Sequence, residues 1–206
     1  MTKAQYGEEG FNLVSFIEAT PVILIVAIIL GITQFFAMMN YISITAISRD
    51  GASAVFVKYI PLSLYRQFLY KSIPHIIMNT IMNLIVFTLA KLVAPIPILY
   101  LIVVLILSTL FNIIQSFLNL IIDLKKPKLK WDTEYAVVKQ NMNLMWTMIF
   151  GMVCIGIIVG LTVIFTVANC NPIIAFSITT LFLIGVIYLL NRYIKEHQEE
   201  LFAKIY

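Results

Sequence analysis

Residues 140–191 read QNMNLMWTMIFGMVCIGIIVGLTVIFTVANCNPIIAFSITTLFLIGVIYLLN, a run of 52 residues that contains no Asp, Glu, Lys or Arg. A membrane-crossing helix needs about 20 apolar residues, so this run is long enough for two crossings. Near its midpoint, Asn169-Cys-Asn-Pro172 has the composition of a turn. The run therefore predicts two membrane helices, at about 143–168 and 173–192, joined by a tight turn.

Three further stretches lack charged residues in the same way: 19–48, 72–90 and 92–122. Charged residues make up only 12% of the 206 residues and apolar ones 61%, whereas about a quarter of a soluble domain is charged. The sequence thus predicts an all-α polytopic membrane protein. We expect a single transmembrane domain, 1–206, with five helices at about 21–46, 73–91, 96–122, 143–168 and 173–192.

Basic residues are concentrated between the predicted helices and after the last one. The linkers 48–71 and 123–142 and the tail 192–206 hold 12 of the 14 Lys and Arg residues, and the other two, Lys3 and Lys91, lie on the opposite side. Loops rich in Lys and Arg stay inside the cell. Both linkers and the C-terminus are therefore predicted to be cytoplasmic and the N-terminus external, in a multi-pass protein of the plasma membrane.

The first linker has the pattern of two short amphipathic helices. Asp50 is placed to cap the first helix, Pro61 ends it, and Ser63 is placed to cap the second. At helical spacing each helix has one apolar face, formed by Ala52, Val55, Phe56 and Tyr59 in the first and by Tyr65, Phe68 and Leu69 in the second. This pattern predicts a pair of helices that lie along the membrane surface and are broken at the proline.

Polar residues recur every three or four positions within the second and third predicted helices, on one face of each: His75, Asn79 and Asn83, and Asn112, Gln115 and Asn119. In an antiparallel hairpin, residues at equal depth have a constant sum of residue numbers. This rule predicts a polar ladder with Asn83 level with Asn112, Asn79 with Gln115 and His75 with Asn119. Such a ladder is either hydrogen-bonding glue between helices or the lining of a hydrated cavity, and the sequence fits both interpretations.

The sequence lacks the motifs of the common enzyme classes. It has no Gly-x-x-x-x-Gly-Lys-Ser/Thr loop, no His-Glu-x-x-His motif and no Ser/His/Asp set, so we expect neither an enzyme nor a metal site. His75 and Asn79 resemble one element of the intramembrane CAAX-type proteases. The Glu-Glu-Arg element and the second histidine motif of that family are absent, which leaves this class as a remote alternative. Cys154 and Cys170 are expected to be packing residues.

The second linker carries the basic run Lys125-Lys-Pro-Lys-Leu-Lys130. Four lysines at a membrane surface suit anionic lipid headgroups. Asp132 and Glu134 nearby add the opposite charge, and together with a tryptophan they suit a protein contact equally well. A second cytoplasmic contact, to headgroups or to a protein, is therefore predicted at six positions: Asp123, Lys125, Lys126, Lys128, Lys130 and Trp131.

Both linkers resemble segments of a known family. The first contains Ile47-Ser-Arg-Asp-Gly-Ala52 and Lys58-Tyr-Ile-Pro-Leu-Ser63, and the second contains Ile122-Asp-Leu-Lys-Lys-Pro-Lys-Leu-Lys-Trp131 and Glu134-Tyr-Ala-Val-Val-Lys-Gln-Asn141. In this order they resemble the cytoplasmic segments of ABC-2-type exporter permeases, particularly those of Gram-positive bacteria. Permeases of that family are longer and repeat a similar unit. With five crossings and an external start, the chain resembles their C-terminal half, as a fragment, a split gene's product or a half that dimerises.

The resemblance implies a membrane subunit that works with a separate ABC-type ATPase, which would bind the ATP and Mg²⁺. In such exporters a short cytoplasmic helix inserts into a cleft on the ATPase and transmits its movement. Carried over to this sequence, Asp50 and Ser63 would cap the coupling helices, Pro61 would set their angle, and three basic residues would meet acidic groups of the ATPase. The implied coupling residues are Arg49, Asp50, Gly51, Lys58, Pro61, Ser63 and Arg66.

Further partners are expected on the same grounds. They are the lipid bilayer and either the missing permease half or a second copy of the chain, and no nucleic acid. No charged residue lies in the interior of the predicted helices, so a strongly ionic cargo is not expected at mid-depth, whereas lipids, apolar peptides and drugs all fit. Export rather than import rests on the resemblance alone. The alternative function is a membrane anchor or assembly protein that does not transport.

Overall fold

The structure is a computed structural model that describes residues 20–93 and 96–205. All secondary structure in these ranges is helical, which confirms the predicted all-α class for the described part of the chain. Five helices are long: α1 (Val22–Met38), α2 (Leu64–Val93), α3 (Ile98–Lys125), α5 (Asn143–Val167) and α6 (Pro172–Glu196). The others are the 3₁₀ helix Ser48–Tyr59, here named the linker helix, α4 (Glu134–Lys139), α7 (Gln198–Phe202) and a final 3₁₀ turn, Ala203–Ile205.

Helices α2, α3, α5 and α6 are long and apolar enough to cross a membrane. At 1.5 Å per residue, the shortest of them extends about 38 Å, which exceeds the roughly 30 Å hydrocarbon core of a bilayer. These four helices mark the chain as a helical membrane protein, as predicted. Helix α1 is equally apolar, but its 17 residues extend only about 26 Å.

The charge-free run divides into α5 and α6 at the predicted turn. Asn169 adopts a positive φ of 47°, a conformation that asparagine tolerates better than most residues. The side chain of Asn171 accepts a hydrogen bond from the Ile173 amide at 2.9 Å. Pro172 occupies the first turn of α6, where its missing N–H would have had no helical partner. These local effects together end one helix and begin the next.

Helix α3 is the centre of the bundle, and it packs against α1, α2, α5 and α6. We name the two ends of the bundle by their connections. The linker end holds residues 39–63 and 126–142, and the turn end holds the start of α3 and the turn that precedes α6. Toward the turn end, the core is formed by apolar residues of α1, α3, α5 and α6, among them Leu30, Leu101, Val104, Leu107, Phe111, Ile158 and Leu183.

A second apolar cluster closes the linker end. Phe68 of α2 meets Phe117 of α3 edge to face, with ring centroids 5.5 Å apart. The C-terminal residues Leu201, Phe202 and Ile205 are buried in the same cluster. The tail is therefore folded back against the bundle and supports the end on which the two linkers lie.

Helices α1 and α5 approach closely at Gly151. A Cβ atom on Gly151 would overlap the side chain of Met38, so only glycine fits this crossing without movement of α1. Small residues at such crossings let membrane helices pack tightly where no hydrophobic force joins them.

The first helix ends at Met38 rather than near residue 46. The side chain of Asn40 accepts the Ile42 amide at 3.0 Å, and this local bond competes with continuation of the helix. Residues 39–47 then form turns, and the side chains from Ser43 to Ser48 are all buried. An uncharged sequence alone does not reveal this break.

The predicted second amphipathic helix and the second membrane helix are one continuous helix, α2. It begins at Leu64, contains Pro74 and continues to Val93. Of the apolar residues predicted for its first turns, Phe68 is fully buried, and Tyr65 and Leu69 are partly buried against the bundle. The start of α2 therefore packs on protein and is not a separate surface helix.

Candidate functional site

The two linkers meet over the end of α3, and the meeting point is a buried carboxylate. Asp123 has no exposed surface, because it lies under the start of the linker helix. It accepts hydrogen bonds from the amides of Ile47 at 2.7 Å and Ser48 at 3.0 Å and from the Ser48 hydroxyl. A carboxylate at the N-terminus of a helix satisfies free amides and favours the positive end of the helix dipole. α3 thus caps the linker helix through a long-range contact.

Ser48 also joins the first linker to the second. Its hydroxyl accepts the Lys128 amide at 2.9 Å and the Asn141 side-chain amide at 3.4 Å. Its carbonyl oxygen accepts the indole N–H of Trp131 at 2.9 Å. Asn143 completes the arrangement by donating to Asp123 at 3.4 Å and to the Lys126 carbonyl at 2.8 Å. We name these residues, Ser48, Asp123, Trp131, Asn141 and Asn143, the linker junction.

Trp131 lies against Gly51 of the linker helix. Gly51 has φ 54° and ψ −130°, a conformation that side chains rarely allow, and it puts a kink in the helix. A Cβ atom at this position would lie 3.1 Å from the indole ring. Glycine is therefore required here for its backbone conformation and for the close approach of Trp131.

These contacts correct one prediction. Asp123 was expected to face lipid or a partner protein, but it is enclosed by the first linker. Trp131 donates its indole N–H within the chain but is only half-buried, so the contact predicted for it stays a prediction. Sequence reasoning did not identify Ser48, Asn141 or Asn143 as site residues, because small polar residues next to turns are common and their partners here are distant in sequence.

Asp50 does not cap the linker helix as predicted. No side chain in this helix caps its N-terminus from within, since Ile47 occupies the cap position and Asp123 takes that role. Asp50 instead pairs with Lys71 of α2 at 2.5 Å. The prediction failed because Asp123, which caps the helix, and Lys71, which pairs with Asp50, both lie far from Asp50 in sequence.

Basic side chains bond the carbonyl oxygens of the non-helical segment 39–47. Lys71 donates to the Ala46 carbonyl at 3.3 Å. Arg49 donates to the carbonyls of Ile42 at 3.0 Å and Thr45 at 3.4 Å. Such bonds replace the helical ones that are lost where α1 breaks.

The predicted apolar face of the first linker points away from the bundle. Gly51, Ala54 and Val57, at the threefold spacing of a 3₁₀ helix, are the buried positions. Of the predicted face, Phe56 is 64% exposed and Tyr59 76%, and Ala52 and Val55 are exposed as well. The face exists and is exposed, and its predicted position along the membrane surface stays a prediction. We name the exposed residues Val55, Phe56, Tyr59, Ile60 and Leu62 the linker patch.

The turn at Pro61 leads directly into α2. Ser63 accepts the Arg66 amide at 3.4 Å, which is the capping contact expected from the sequence. The side chain of Gln67 donates to the carbonyls of Val57 at 3.1 Å and Leu62 at 3.0 Å. The end of the linker helix and the turn are thereby fastened to the first turn of α2. Lys58, Pro61 and Arg66 are exposed beside the linker patch.

The four lysines of the second linker have different surroundings. Lys128 donates to the carbonyls of Ala136 and Gln140, both at 3.1 Å, and so stabilises the second linker itself. Lys125 donates to the hydroxyl of Tyr193 at 3.3 Å. Lys126 and Lys130 are exposed. The headgroup or partner contact predicted for this run stays a prediction, with Lys126 and Lys130 the lysines best placed for it.

A buried polar network lies below the junction. His75 is completely buried, and its Nε2 accepts the Asn79 side-chain amide at 2.9 Å. Its Nδ1 therefore carries the proton and donates a hydrogen bond to the Ser43 hydroxyl oxygen at 3.1 Å. Ser43 also accepts from Asn119 at 3.1 Å, and Asn79 accepts from Asn40 at 2.8 Å. The network joins α2, α3 and the non-helical segment after α1.

The ladder residues are buried, but their hydrogen bonds do not follow the predicted pairs. Asn83 donates to Ser108 at 2.9 Å, one turn away from Asn112. His75 and Asn119 are bridged by Ser43. The pairing differs because the hairpin rule considers only α2 and α3, whereas Ser43 and Asn40 come from a third segment.

Three buried side-chain amides have no hydrogen-bond partner in the described part of the chain. They belong to Gln34 of α1 and to Asn112 and Gln115 of α3. All three are fully buried. The predicted ladder included the two on α3 but not Gln34, because the ladder was drawn from the second and third predicted helices alone.

Comparison with known proteins adds nothing to this picture. No family model matches the chain, and neither a curated protein nor a solved structure is significantly similar to it. Function must therefore be inferred from the residues themselves.

Proposed function

We propose that the chain is the membrane-spanning permease part of an ABC-type exporter in the plasma membrane. A separate ATPase would bind ATP and Mg²⁺, and its movement would reach the membrane helices through the first linker. In this proposal the chain crosses the membrane five times, with both linkers and the C-terminus in the cytoplasm. The resemblance of the two linkers to ABC-2-type permeases motivates the proposal.

The observation that carries the proposal is the linker patch on a rigid support. Phe56 and Tyr59 are large, aromatic and exposed, and aromatic residues of this kind dominate the energetics of protein interfaces. The helix that presents them is fastened at its start by Asp123 and at its end by Gln67. A surface that must transmit movement needs an exposed contact face and a stiff connection, and the linker helix has both.

Charge supports the same role. Lys58 and Arg66 lie beside the patch, on the end of the bundle that carries most of the basic residues. Charged groups at the rim of an interface guide association with an oppositely charged partner. We therefore expect acidic residues around an apolar cleft on the ATPase.

A displacement of the linker helix would be transmitted to the bundle through its direct contacts. Gln67 connects it to α2, and Asp123 connects it to α3. Trp131 connects it to the second linker. The contacts of one short helix thus reach the two helices of the central hairpin and the segment that leads to α5.

The proposed fifth crossing would be formed by α1 together with the segment that follows it. About 26 Å of helix falls short of the hydrocarbon core, but the buried residues 43–48 continue the path inside the protein. Non-helical backbone is tolerated at membrane depth where protein surrounds it and satisfies its polar groups. Arg49 and Lys71 provide such bonds.

The test is co-purification from the native membrane followed by identification of bound proteins. An exporter part should retain an ATPase with a P-loop. The double variant Phe56→Ala, Tyr59→Ala should lose it, and Lys58→Glu with Arg66→Glu should weaken it. Tyr135→Ala is the matched control, because Tyr135 is 68% exposed at the same end of the bundle but lies outside the patch.

Two results would contradict the proposal. One is the absence of any ATPase among the specific partners, which would favour a membrane anchor or assembly protein. The other is ATPase capture that is equal for the patch variants and the Tyr135 control.

A further inference from the structure

The unpaired amides of Gln34, Asn112 and Gln115 lie at similar depths in the bundle. Leu30 of α1 and Phe111 of α3 line the same small cavity, as do Val26 and Leu107. Ser43, which follows α1, bonds Asn119 near the end of α3, so the two helices run in the same direction. Gln34 and Gln115 each lie one turn beyond these cavity residues, toward the linker end.

Asn112 belongs to the same region. It lies one helical turn before Gln115 and one turn after Ser108, which bonds Asn83. Both polar atoms of each of the three amides are buried without a partner in the described part of the chain. Buried amides are nearly always hydrogen-bonded, and one left unpaired costs more than an ordinary hydrogen bond contributes. Three such amides at similar depths indicate partners from outside the described part of the chain.

The chemistry of the side chains defines those partners. Amides both donate and accept, and no charged residue lies in this part of the bundle. His75, the nearest titratable group on α2, has both ring nitrogens bonded to Ser43 and Asn79. The region therefore suits neutral hydrogen-bonding groups and not ions.

We infer that Gln34, Asn112 and Gln115 form a water-accessible site within the bundle that binds neutral hydrogen-bonding groups, those of water or of a small hydroxyl-bearing solute. The site ends toward the turn end of the bundle at the apolar layer that contains Leu30, Leu107 and Phe111. Toward the linker end it adjoins the polar network around Ser43 and Asn79. In this inference, water enters from the linker end, where the neighbouring side chains are polar. This inference does not rest on the proposed function, since a non-transporting protein can hold the same site.

Cysteine accessibility tests the inference in the full chain, reconstituted in lipid nanodiscs. The natural cysteines are replaced first (Cys154→Ala, Cys170→Ser), and single cysteines are introduced as Asn112→Cys, Gln115→Cys and Gln34→Cys. The probe is hydroxyethyl methanethiosulfonate, a neutral water-soluble thiol reagent, with the reaction rate read by mass spectrometry. Val104→Cys and Leu107→Cys are matched controls, because they are equally buried on α3 in the apolar layer.

We expect the site cysteines to react at least about tenfold faster than both controls, because the reagent reaches them through water and not through packed apolar side chains. An anionic reagent of similar size should react more slowly than the neutral one at the same positions. Ser116→Cys, a near-isosteric change one turn from Asn112, gives the same readout if the amide variants fail to fold. Addition of glycerol distinguishes a solute site from a site for water alone. If glycerol slows the reaction of the site cysteines, the site binds a small hydroxyl-bearing solute, and if glycerol leaves the rate unchanged, the site holds water alone.

Two outcomes would overturn the inference. One is a folded protein in which none of the site cysteines, including Ser116→Cys, reacts faster than the controls. The other is equally fast reaction at Val104→Cys and Leu107→Cys, which would indicate general opening of the bundle and no localised site.

Discussion

The two halves of the bundle differ in what fills their interior. Toward the turn end, the buried cluster of α1, α3, α5 and α6 is formed by apolar side chains such as Val26, Leu101 and Val104. Toward the linker end, the interior contains amides, hydroxyls, His75 and Asp123. Among the described residues, buried polar side chains begin at Thr33 on α1 and at Ser108 on α3, and they end at Asn83 on α2. Thr162 of α5 is buried toward the turn end, where its hydroxyl bonds the Ile158 carbonyl of its own helix.

The difference shows how each half is specified. Lipid tails are as apolar as a leucine core, so the turn-end half depends on shape and close packing. Hydrogen bonds are directional, so in the linker-end half they determine which polar groups contact each other. The network from Asn40 to Asn119 positions a non-helical segment that could not hold itself. Close packing therefore joins the helices, and polar contacts attach the linkers to them.

The largest effect is expected for Asp123→Ala, which breaks the linker-end half. Three donors, on Ile47 and Ser48, would be left buried without their acceptor. We expect a loss of about 3–5 kcal/mol in the free energy of unfolding. Unfolding in mixed micelles measures it. Asp132→Ala is the matched control, because Asp132 is exposed on the second linker, and an equal loss in both variants would disprove the junction.

Gly51→Ala should have the next largest effect. Its φ of 54° and the indole of Trp131 at 3.1 Å both oppose a side chain, so we expect a loss of about 2–3 kcal/mol in the free energy of unfolding. Thermal unfolding followed by circular dichroism measures it. Gly31→Ala is the control, because nothing lies within 4 Å of its added Cβ and it lies inside α1. A variant at Gly51 as stable as wild type would show that Trp131 does not contact it.

Leu107→Ala tests the turn-end half. In a membrane the removed atoms gain no contact with water, so only packing is lost and we expect about 1–3 kcal/mol. The free energy of unfolding in mixed micelles measures the loss. Leu181→Ala on α6 is 70% exposed and should change stability little. A loss at Leu107 greater than that at Asp123 would reverse the proposed contrast between the halves.

Ser43→Ala removes one hydroxyl from the polar network and should have the smallest effect. It leaves donors of His75 and Asn119 unpaired, which costs about 1–2 kcal/mol if neighbouring groups compensate in part. The melting temperature in nanodiscs measures it. Ser177→Ala is the control, since this exposed serine bonds only its own helix. Identical melting temperatures would mean that the network contributes nothing to stability.

Features that depend on composition or on neighbouring residues could be predicted from the sequence. The absence of charge over 140–191 reports directly on burial in lipid, and the turn at Asn169–Pro172 is determined by its own residues. The contact of Ser63 with Arg66 is equally local. The periodic spacing of polar residues on α2 and α3 correctly indicated faces that are buried together.

Features that depend on partners distant in sequence could not be predicted from the sequence. The capping role predicted for Asp50 belongs to Asp123, which lies 75 residues from Ser48 in sequence. The buried positions Gly51, Ala54 and Val57 could not be found from the sequence, because a spacing of 3.6 residues was assumed where the helix has three residues per turn. The end of α1 gives no signal in charge, and only the contacts of Asn40 explain it.

The position of Trp131 has an optical consequence. Its indole ring lies on Gly51 and donates to the Ser48 carbonyl, so its emission should respond to any movement of the linker helix. The only other tryptophan, Trp146, lies partly exposed on α5. After Trp146→Phe, the protein would carry a single tryptophan, which lies at the contact between its two linkers. Docking of a partner on the linker patch could then be followed in real time without an added label.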